Sequence, residues 1–335
     1  MPPFVKWEVR WFHDHYPLTF ALGLLTLEID TTKIVVEMDK LEMDKLGDCA
    51  MGETLAVETP APSRVLEGGT FHTQLVRHPN VQYRLHDHMF IKYATEFSDP
   101  PAIVLAINSL EVDRCANVRV RATAEDIHEH IFGAHIRSWG DTRLYSAGCT
   151  WLAVPRGHPD FQTGTFSTGE DHVWSKPQHL THRKVVFDHA YQAPPKVVVW
   201  LNKLDLSRDH NERVMAFATD ITATGFTVHI NSWGDTKLHG AAISWFAYPA
   251  GFPGICSGDM LPQKGTSGVV KFERKFAKPP TVVLVGLNKL ESDRSGRCSF
   301  NISIDAVSEI GMGIRVEGWS DTVLHSAGVA YLAIE

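Results

Sequence analysis

The chain has 335 residues, of which 44% are hydrophobic and 21% charged, as in a globular protein of several domains. Its net charge of −7, with histidine counted as neutral, argues against the basic surface that nucleic-acid binding needs. No apolar run approaches the ~18 residues of a membrane-spanning helix, and the first residues lack the pattern of a signal peptide. Five cysteines, an odd number without metal-site spacing, indicate free thiols in a reducing compartment. We therefore expect a protein without membrane insertion or nucleic-acid binding, cytoplasmic or released without a classical signal peptide.

The first 65 residues share fragments with the last part of the chain. Phe20–Leu24 followed by Leu27–Asp30 resembles Val283–Leu287 followed by Leu290–Asp293. Where a middle strand would follow, the near-duplicated polar stretch Glu37–Leu46 stands instead. We interpret residues 1–65 as a truncated, degenerate repeat. Because a sandwich without its central strands exposes edges and loses core, we expect this segment to be the least stable part or to lean on repeat one. The alternative is an unrelated leader.

A five-residue motif then occurs three times. Each copy follows an alternating apolar run and precedes a run of small residues that leads into a last strand. The copies are Ser138-Trp139-Gly140-Asp141-Thr142, Ser232-Trp233-Gly234-Asp235-Thr236 and the looser Gly318-Trp319-Ser320-Asp321-Thr322. Three copies in matching surroundings indicate tandem repeats, which we bound at residues 66–155, 156–250 and 251–335.

Repeat two shows the strand pattern most clearly. Short runs rich in Val, Ile, Phe and Thr, separated by Gly, Pro, Asn and Asp and without a helical period, predict an antiparallel β-sandwich. We expect strands over Lys184–Tyr191 and Val197–Leu201, followed by Asn202–Asp205 and a polar loop to Asn211. Strands over Arg213–Thr219 and Phe226–Trp233 are joined by a turn at Thr222–Gly225, and Ser244–Tyr248 closes the unit. The other repeats follow the same plan, so the fold class is all-β, with tandem antiparallel sandwiches.

The tryptophan of the motif has the parity of a solvent-facing residue. Side chains alternate between the two faces of a strand, and Trp233 falls on the face opposite the apolar residues that precede it. Arg213 has the same parity on the preceding strand, and Trp139 and Arg119 repeat the relation. An aromatic plane beside a guanidinium suits a sugar, because the ring packs on C–H groups while Arg donates to hydroxyls. The alternative is that the tryptophan packs against the next repeat.

The other conspicuous polar residues are interpreted as structural or solvent-exposed rather than catalytic or metal-binding. The acidic residue before threonine in each motif is interpreted as turn-stabilising. The near pairs His86/His88 and His128/His130 each occur in one repeat only, so we expect solvated loops and no metal site. No nucleophile–base motif and no repeated carboxylate pair appears. We therefore predict no catalytic residue, no cofactor and no enzymatic activity.

In their order and repetition, these motifs resemble the H-type lectin family. The shared pattern is a Pro-Pro pair before an apolar strand, an Asn-x-Leu-Asp turn, an Arg-Val strand, Gly-Phe, Trp-x-Asp-Thr and Ser-Trp-x-Ala. Repeat two carries nearly all of it, in Pro194-Pro195, Asn202–Asp205, Arg213-Val214, Gly225-Phe226, Trp233–Thr236 and Ser244–Ala247. The resemblance extends over residues 66–335 and reaches residues 1–65 in fragments.

The resemblance implies a six-stranded sandwich per repeat and association in threes, which one chain could achieve as a pseudo-trimer about a pseudo-threefold axis. It also implies calcium-independent binding of glycans or glycoproteins with terminal N-acetylgalactosamine or galactose, as in cell adhesion. The sugar-binding residues that it implies are Arg119, Trp139, Gly140, Arg213, Trp233, Gly234 and, in the third repeat, Trp319. Repeat three departs from the pattern, because Ser299 stands where arginine is expected, so we expect two intact sites.

Two functions remain open at this point. The first is a lectin that is multivalent through its tandem repeats. The second is a structural or protein-interaction repeat protein that has kept the fold and lost the sugar site. Loss of sugar binding without loss of folding after substitution of the tryptophans would favour the first.

Overall fold

The computed structural model describes residues 20–22, 25–30, 33–38, 66–77, 82–261 and 266–335. The chain separates into two compact units, residues 1–59 and 60–335. In the first unit, β1 (Phe20–Leu22), β2 (Leu25–Asp30) and β3 (Lys33–Met38) form a three-stranded antiparallel sheet. Residues 39–65 lie outside the described residues, so the interpretation of residues 1–65 as a truncated repeat stays a prediction.

In the second unit, each repeat contributes six of the described strands. Repeat one contains β4 (Glu67–His72), β5 (His86–Lys92), β6 (Ala102–Val112), β7 (Val118–Glu125), β8 (Ile131–Arg137) and β9 (Leu144–Val154). Repeat two contains β10 (Gln162–Ser167), β11 (Leu180–Val186), β12 (Lys196–Leu206), β13 (Glu212–Thr222), β14 (Gly225–Asn231) and β15 (Leu238–Tyr248). Repeat three contains β16 (Ile255–Met260), β17 (Ser267–Lys271), β18 (Val282–Asp293), β19 (Cys298–Asp305), β20 (Gly311–Glu317) and β21 (Val323–Ile334).

The only helical turns among the described residues are two 3-10 turns, Thr73–Leu75 and Thr168–Glu170. The predicted all-β class is therefore confirmed for this part of the chain. None of the described helices has the length and apolar character that crossing a membrane requires.

Strands form where apolar and polar residues alternate, because one face of each strand is buried. In β14, Phe226, Val228 and Ile230 are buried while the residues between them are half-buried. Within a repeat, two three-stranded half-sheets pack face to face, and the Phe132 ring on β8 lies 5.4 Å from the Trp151 ring on β9. The predicted alternation and the predicted sandwich are both confirmed.

Each six-stranded sheet is shared by two repeats. Repeats one and two share β10-β15-β12-β7-β8-β5, repeats two and three share β11-β14-β13-β18-β21-β16, and repeats three and one share β17-β20-β19-β6-β9-β4. The strand pairings between repeats are β12 with β7, β18 with β13 and β6 with β19. We call them the first, second and third junctions. The strand pairing therefore links the three repeats in a closed cycle.

The predicted turn at Asn202–Asp205 is wrong, because β12 continues through it. The strand instead contains a β-bulge, where Leu201 pairs with Ile243 and Lys203 pairs with Ala242, which leaves Asn202 as the extra residue. The same shift occurs at the corresponding asparagines of β6 and β18. A bulge accommodates one extra residue and changes which side chains face outward. Beyond it, Lys203 and Asp205 face the junction with β7.

The predicted first strand of repeat two is also displaced. It spans Leu180–Val186 rather than Lys184–Tyr191. Phe187 and Tyr191 follow it as buried loop residues whose rings meet edge to face at 5.1 Å. Their apolar character reflects packing under a loop, which a strand pattern cannot distinguish from sheet burial.

A central apolar cluster contains residues from all three repeats. At the position two residues before the bulge, the repeats carry Ala106, Trp200 and Gly286. A Cβ on Gly286 would lie 2.3 Å from the Ala106 Cβ and 2.7 Å from Trp200 Cδ1. The Trp200 indole donates to the Ala330 carbonyl at 2.9 Å. One large and two small residues thus share the space between the three repeats.

Candidate functional site

The five-residue motif forms a tight turn after the second-last strand of each repeat. In repeat one, the Thr142 N–H donates to the Trp139 carbonyl at 3.3 Å, and the equivalent bonds in repeats two and three are 3.3 and 3.2 Å long. Gly140 and Gly234 have φ values of +64° and +65°. Because this left-handed conformation favours glycine, the turn explains the glycine after the tryptophan.

Threonine and aspartate tie the turn to the strand beside it. The Thr142 hydroxyl donates to the Asn117 carbonyl at 2.8 Å. Asp141 accepts from Asn117 Nδ2 at 3.0 Å and from Arg119 Nη1. The interpretation of the acidic residue as merely turn-stabilising was therefore incomplete, because its carboxylate also orients a guanidinium.

Arg119 lies at the first junction, between carboxylates of two repeats. It is in register with Asp205 of β12, and its Nε donates to Asp205 Oδ1 at 3.1 Å while Nη1 donates to Asp141. Its side chain is 18% exposed. Its Nη2 donates to no residue that the structure describes. The two acids thus fix the guanidinium and leave one nitrogen to donate to a ligand.

Gly140 and Gly234 also make room for the arginines. A Cβ on Gly140 would lie 2.6 Å from Arg119 Nη1, and one on Gly234 would lie 2.9 Å from Arg213 Nη1. Each glycine is thus required twice, by its backbone conformation and by the guanidinium packed against it.

A lysine from the next repeat completes the cluster around the tryptophan. Lys203 of β12 places Nζ 5.6 Å from the centre of the half-buried Trp139 ring. Burial, assisted by Arg121 and opposed by Asp205, lowers the pKa of Lys203. The first junction therefore combines an aromatic ring, a cation above it, and a guanidinium held by two acids.

The second junction repeats this arrangement. Arg213 donates to Asp235 of its own repeat and lies 3.5 Å from Glu291 Oε1 of repeat three. Lys289 of repeat three places Nζ 5.9 Å from the centre of the Trp233 ring. The hydrogen bond from Arg213 is the main cause that lowers the pKa of Asp235. At Asp141, burial opposes ionisation, but hydrogen bonds from Arg119 and Asn117 outweigh it and lower the pKa.

The third junction lacks the arginine and the lysine. Ser299 is in register with Glu111, and Ser109 takes the position of the lysine. The Ser299 hydroxyl donates to the Trp319 carbonyl at 2.9 Å. Arg297 reaches Glu111 Oε1 at 2.9 Å from two residues upstream, so the acid is paired with a different arginine. Trp319 therefore has neither the guanidinium nor the ammonium of the other junctions beside it.

The type of residue after the tryptophan depends on whether the arginine is present. Ser320 has φ +59°, the same turn conformation as the two glycines. Since Ser299 leaves no guanidinium at this place, a side chain on residue 320 has room. Two departures from the pattern of the other repeats, Ser299 and Ser320, thus have one physical cause.

The structure places each predicted arginine against the glycine that follows its tryptophan. It adds four residues that sequence analysis missed, Lys203, Asp205, Lys289 and Glu291. All four come from the neighbouring repeat. Their recurrence after the same asparagine was a usable signal, but their role depends on strand pairing between repeats.

The histidines form a second polar cluster. The prediction of a solvated loop is wrong for His86 and His88, which lie on edge strand β5, whereas His128 and His130 do lie in a loop. His86, His88 and His135 each offer a ring nitrogen, and these atoms lie within 4.8 Å of one another. They are the residues of the described chain whose types and spacing suit a metal ion.

Comparisons with known proteins identify the repeats. A family model for the H-type lectin domain matches residues 89–154, 182–248 and 267–334, more than half of the chain. A protein of Fuscovulum blasticum, "ATP synthase subunits region ORF 7", is 32% identical over 63 residues, which are 19% of this chain and 55% of that protein. This chain thus spans about half the length of that relative. The solved structure of recombinant discoidin II of Dictyostelium discoideum aligns at 15% identity and TM-score 0.25, over 48% of this chain and 77% of that one.

Proposed function

Because the chain belongs to the H-type lectin domain family, we propose that it is a carbohydrate-binding protein with one sugar site at each of two junctions. The observation that carries the proposal is the cluster at the first junction. Trp139 offers an aromatic surface, Arg119 a free Nη2 donor fixed by two carboxylates, and Lys203 an ammonium beside the ring. In this proposal a hexose packs on the ring, and its hydroxyls accept hydrogen bonds from both cations.

The sugar is proposed to be N-acetylgalactosamine or galactose, displayed at the end of a glycan or glycoprotein. This part of the proposal rests on the family alone. A glycan array that compares galactose-type with glucose- and mannose-type terminal sugars tests it. Equal binding of all three types would contradict it.

Two sites in one chain support a multivalent lectin that needs no catalysis. Linking sites raises overall binding well above single-site affinity when one glycan surface engages both. We further infer that the repeats are arranged about a pseudo-threefold axis within one chain. The closed cycle of strand pairing and the central cluster around Trp200 support this arrangement. A compact monomer by light scattering and small-angle X-ray scattering is expected; a stable trimer of chains would contradict it.

The test of sugar binding is substitution of both tryptophans. Trp139→Ala with Trp233→Ala should abolish binding of the array's best glycan, whereas Trp319→Ala should leave it unchanged. Calorimetry with a monosaccharide should give two sites per chain for the natural protein and one for either single variant. Unfolding curves of all variants show whether the fold persists.

A second candidate is a structural or protein-interaction repeat protein without sugar binding. The ion pair between Arg119 and Asp205 supports it, because it joins two repeats and could be present for stability alone. Under this alternative, no glycan binds the natural protein, and the tryptophan substitutions lower only the free energy of unfolding.

A further inference from the structure

Three histidines converge on the outer face of repeat one, and we propose that they form a binding site for a divalent transition metal, with Zn²⁺ as the ion that suits their donors. His86 and His88 stand two residues apart on β5 and therefore point to the same face. His135 is the register partner of His88 on β8. Three imidazoles are a known zinc donor set that leaves one coordination position open.

The distances fit one ion after small side-chain movements. His86 Nε2 and His135 Nδ1 are 2.8 Å apart, and the three ring centres lie 5.1 to 5.5 Å from one another. Tetrahedral zinc with Zn–N bonds of about 2.0–2.1 Å separates its nitrogens by about 3.3 Å. His86 and His88 are exposed, so rotation of their rings supplies this adjustment.

His135 is oriented as a metal ligand requires. Its Nδ1 faces the other histidines, while its Nε2 is buried without a hydrogen-bond partner among the described residues and lies 3.8 Å from Glu125 Oε2. A ligating histidine usually donates its other ring N–H to a carboxylate, which fixes the ring. Gly133 leaves space for this nitrogen, since a Cβ there would lie 2.8 Å from it.

The charged groups around the cluster are two arginines and two acids, Glu125 and the buried Asp87 between the two histidines of β5. Arg137 places Nη2 3.3 Å from His135 Nδ1, and Arg121 is exposed on β7 in register with Arg137. Both terminal guanidinium nitrogens of Arg137, Nη1 and Nη2, donate to Glu125, which offsets the charge of the arginine. The attraction for a cation therefore comes from the imidazole nitrogens rather than from net negative charge, which favours zinc over calcium or magnesium.

The other repeats lack the full set. In repeat two, His182 and His229 pair as His88 and His135 do, but Leu180 takes the place of His86. In repeat three, the corresponding pair is Ser267 and Arg315. The pair of histidines in repeat two is therefore an internal control. The residues that replace His86 in repeat two and His88 in repeat three, Leu180 and Ser267, supply the substitutions for a test.

The cluster is separate from the sugar site proposed at the first junction. Lys203, Arg121, Arg137 and His86 stand side by side on four adjacent strands of one sheet. With strands about 4.8 Å apart, His86 is about 14 Å from Lys203. None of the three histidines belongs to the cluster around Trp139, so we expect a metal at the histidines and a sugar at Trp139 to bind independently.

The test is zinc binding by the full chain after chelator treatment. Titration with ZnCl₂ against a fluorescent zinc chelator should give one tight site per chain. His86→Leu, which installs the repeat-two residue, and His88→Ser, which installs the repeat-three residue, should each weaken it by about 100-fold or more. Glu125→Gln should weaken it roughly 10- to 100-fold, as expected for a residue that orients a ligand. His182→Leu is the matched control and should bind zinc like the natural protein.

Cobalt gives a second readout, which reports the coordination geometry of the bound ion. Co²⁺ should produce visible absorption of a tetrahedral site in the natural protein and in His182→Leu, and none in His86→Leu. The proposal is overturned if the natural protein binds no zinc, if His86→Leu and His88→Ser bind it unchanged, or if His182→Leu loses it equally. Sugar binding by His86→Leu should be unchanged, which separates this proposal from the function proposed above.

Discussion

The first and second junctions differ from the third around the tryptophan, although the strands pair in the same register at all three. Arg119 faces Asp205 and Arg213 faces Glu291, whereas Ser299 faces Glu111. The third junction nevertheless keeps its turn, in which the Thr322 hydroxyl donates to the Arg297 carbonyl at 2.8 Å. The fold therefore requires the turn and the strand pairing but not the arginine, the glycine or the lysine.

This difference separates two roles within one motif. Threonine and aspartate anchor the turn to the neighbouring strand, as the shared Thr142 and Thr322 bonds illustrate. Arginine and glycine occur together or not at all, because the guanidinium occupies the space of a side chain on the following turn residue. Since folding proceeds without them at one junction, their retention at the other two favours a role in ligand binding.

Rebuilding the third junction is the strongest test of this comparison. The triple variant Ser299→Arg, Ser320→Gly and Ser109→Lys restores the residues of the first junction beside Trp319. We expect a third sugar to bind per chain, an increase from no detectable binding at this junction. Calorimetric stoichiometry with a monosaccharide measures it, and a value that stays at two would contradict the proposed roles of these residues.

The matched control keeps Ser320 in an otherwise identical variant. A Cβ at the corresponding Gly140 would lie 2.6 Å from Arg119 Nη1. We therefore expect Ser299→Arg with Ser109→Lys to bind only two sugars, because the serine displaces the introduced guanidinium. Binding of three sugars by this control would show that the glycine is not needed.

The second junction differs from both others in a buried acid. Glu212 occupies the register position of Val118 and Cys298, and burial, more than any other cause, raises its pKa to about 8. The unfolded side chain has a pKa of about 4.3, so between these values the native state holds a proton that the unfolded state has released. The free energy of unfolding should therefore be unaffected by the ionisation of this group below about pH 4.3. It should fall as pH rises from there to about 8, by at most about 1.4 kcal/mol per pH unit.

Glu212→Gln should remove this pH dependence of the free energy of unfolding. Urea unfolding at several pH values between 5 and 8 measures it as the difference between the natural protein and the variant, in which other titrating groups cancel. Glu212→Val, which installs the residue of repeat one, should behave in the same way. An identical slope in all three proteins would mean that Glu212 is ionised in the folded state at pH 5.

Part of this architecture was predictable from sequence, because it depends on the burial of one strand face. The alternation in β14 and the repetition of the Trp motif predicted the sandwich and its outer face. The bulge at Asn202 was read as a turn, since a polar residue in an apolar run signals either. Pairing between repeats was not predictable, because each strand edge is equally able to pair with its own repeat or with another.

The candidate sites were predictable to the same extent. Arg119 and Trp139 share a repeat, and parity along their strands brought them together. Lys203 belongs to the next repeat, so its place above the Trp139 ring depends on the pairing of β12 with β7. His135 meets His88 only through the register of β8 with β5, which the spacing of histidines along the chain does not contain.

Removing Arg119 from the first junction should lower the free energy of unfolding more than removing Arg297 from the third junction. Arg119→Ser leaves Asp205 and Asp141 without their shared partner, and Asp205 is only 15% exposed. We expect a loss of about 1–2 kcal/mol in the free energy of unfolding, reduced by solvent from the value of a fully buried pair. Arg297→Ala, whose arginine is 34% exposed, should cost about 0.5 kcal/mol. Equal losses in urea unfolding would mean that the two ion pairs are equivalent.

The smallest expected effect concerns the residue after the tryptophan. Gly234→Ser introduces a side chain at φ +65° and 2.9 Å from Arg213 Nη1, so it should cost about 1 kcal/mol and weaken sugar binding at this junction. Ser320→Gly should change stability by less than about 0.5 kcal/mol, because relief of the positive φ offsets the greater freedom of glycine in the unfolded chain. Urea unfolding measures both. If Gly234→Ser were also neutral, the arginine could move aside without cost, and the joint loss of Arg and Gly in repeat three would need another cause.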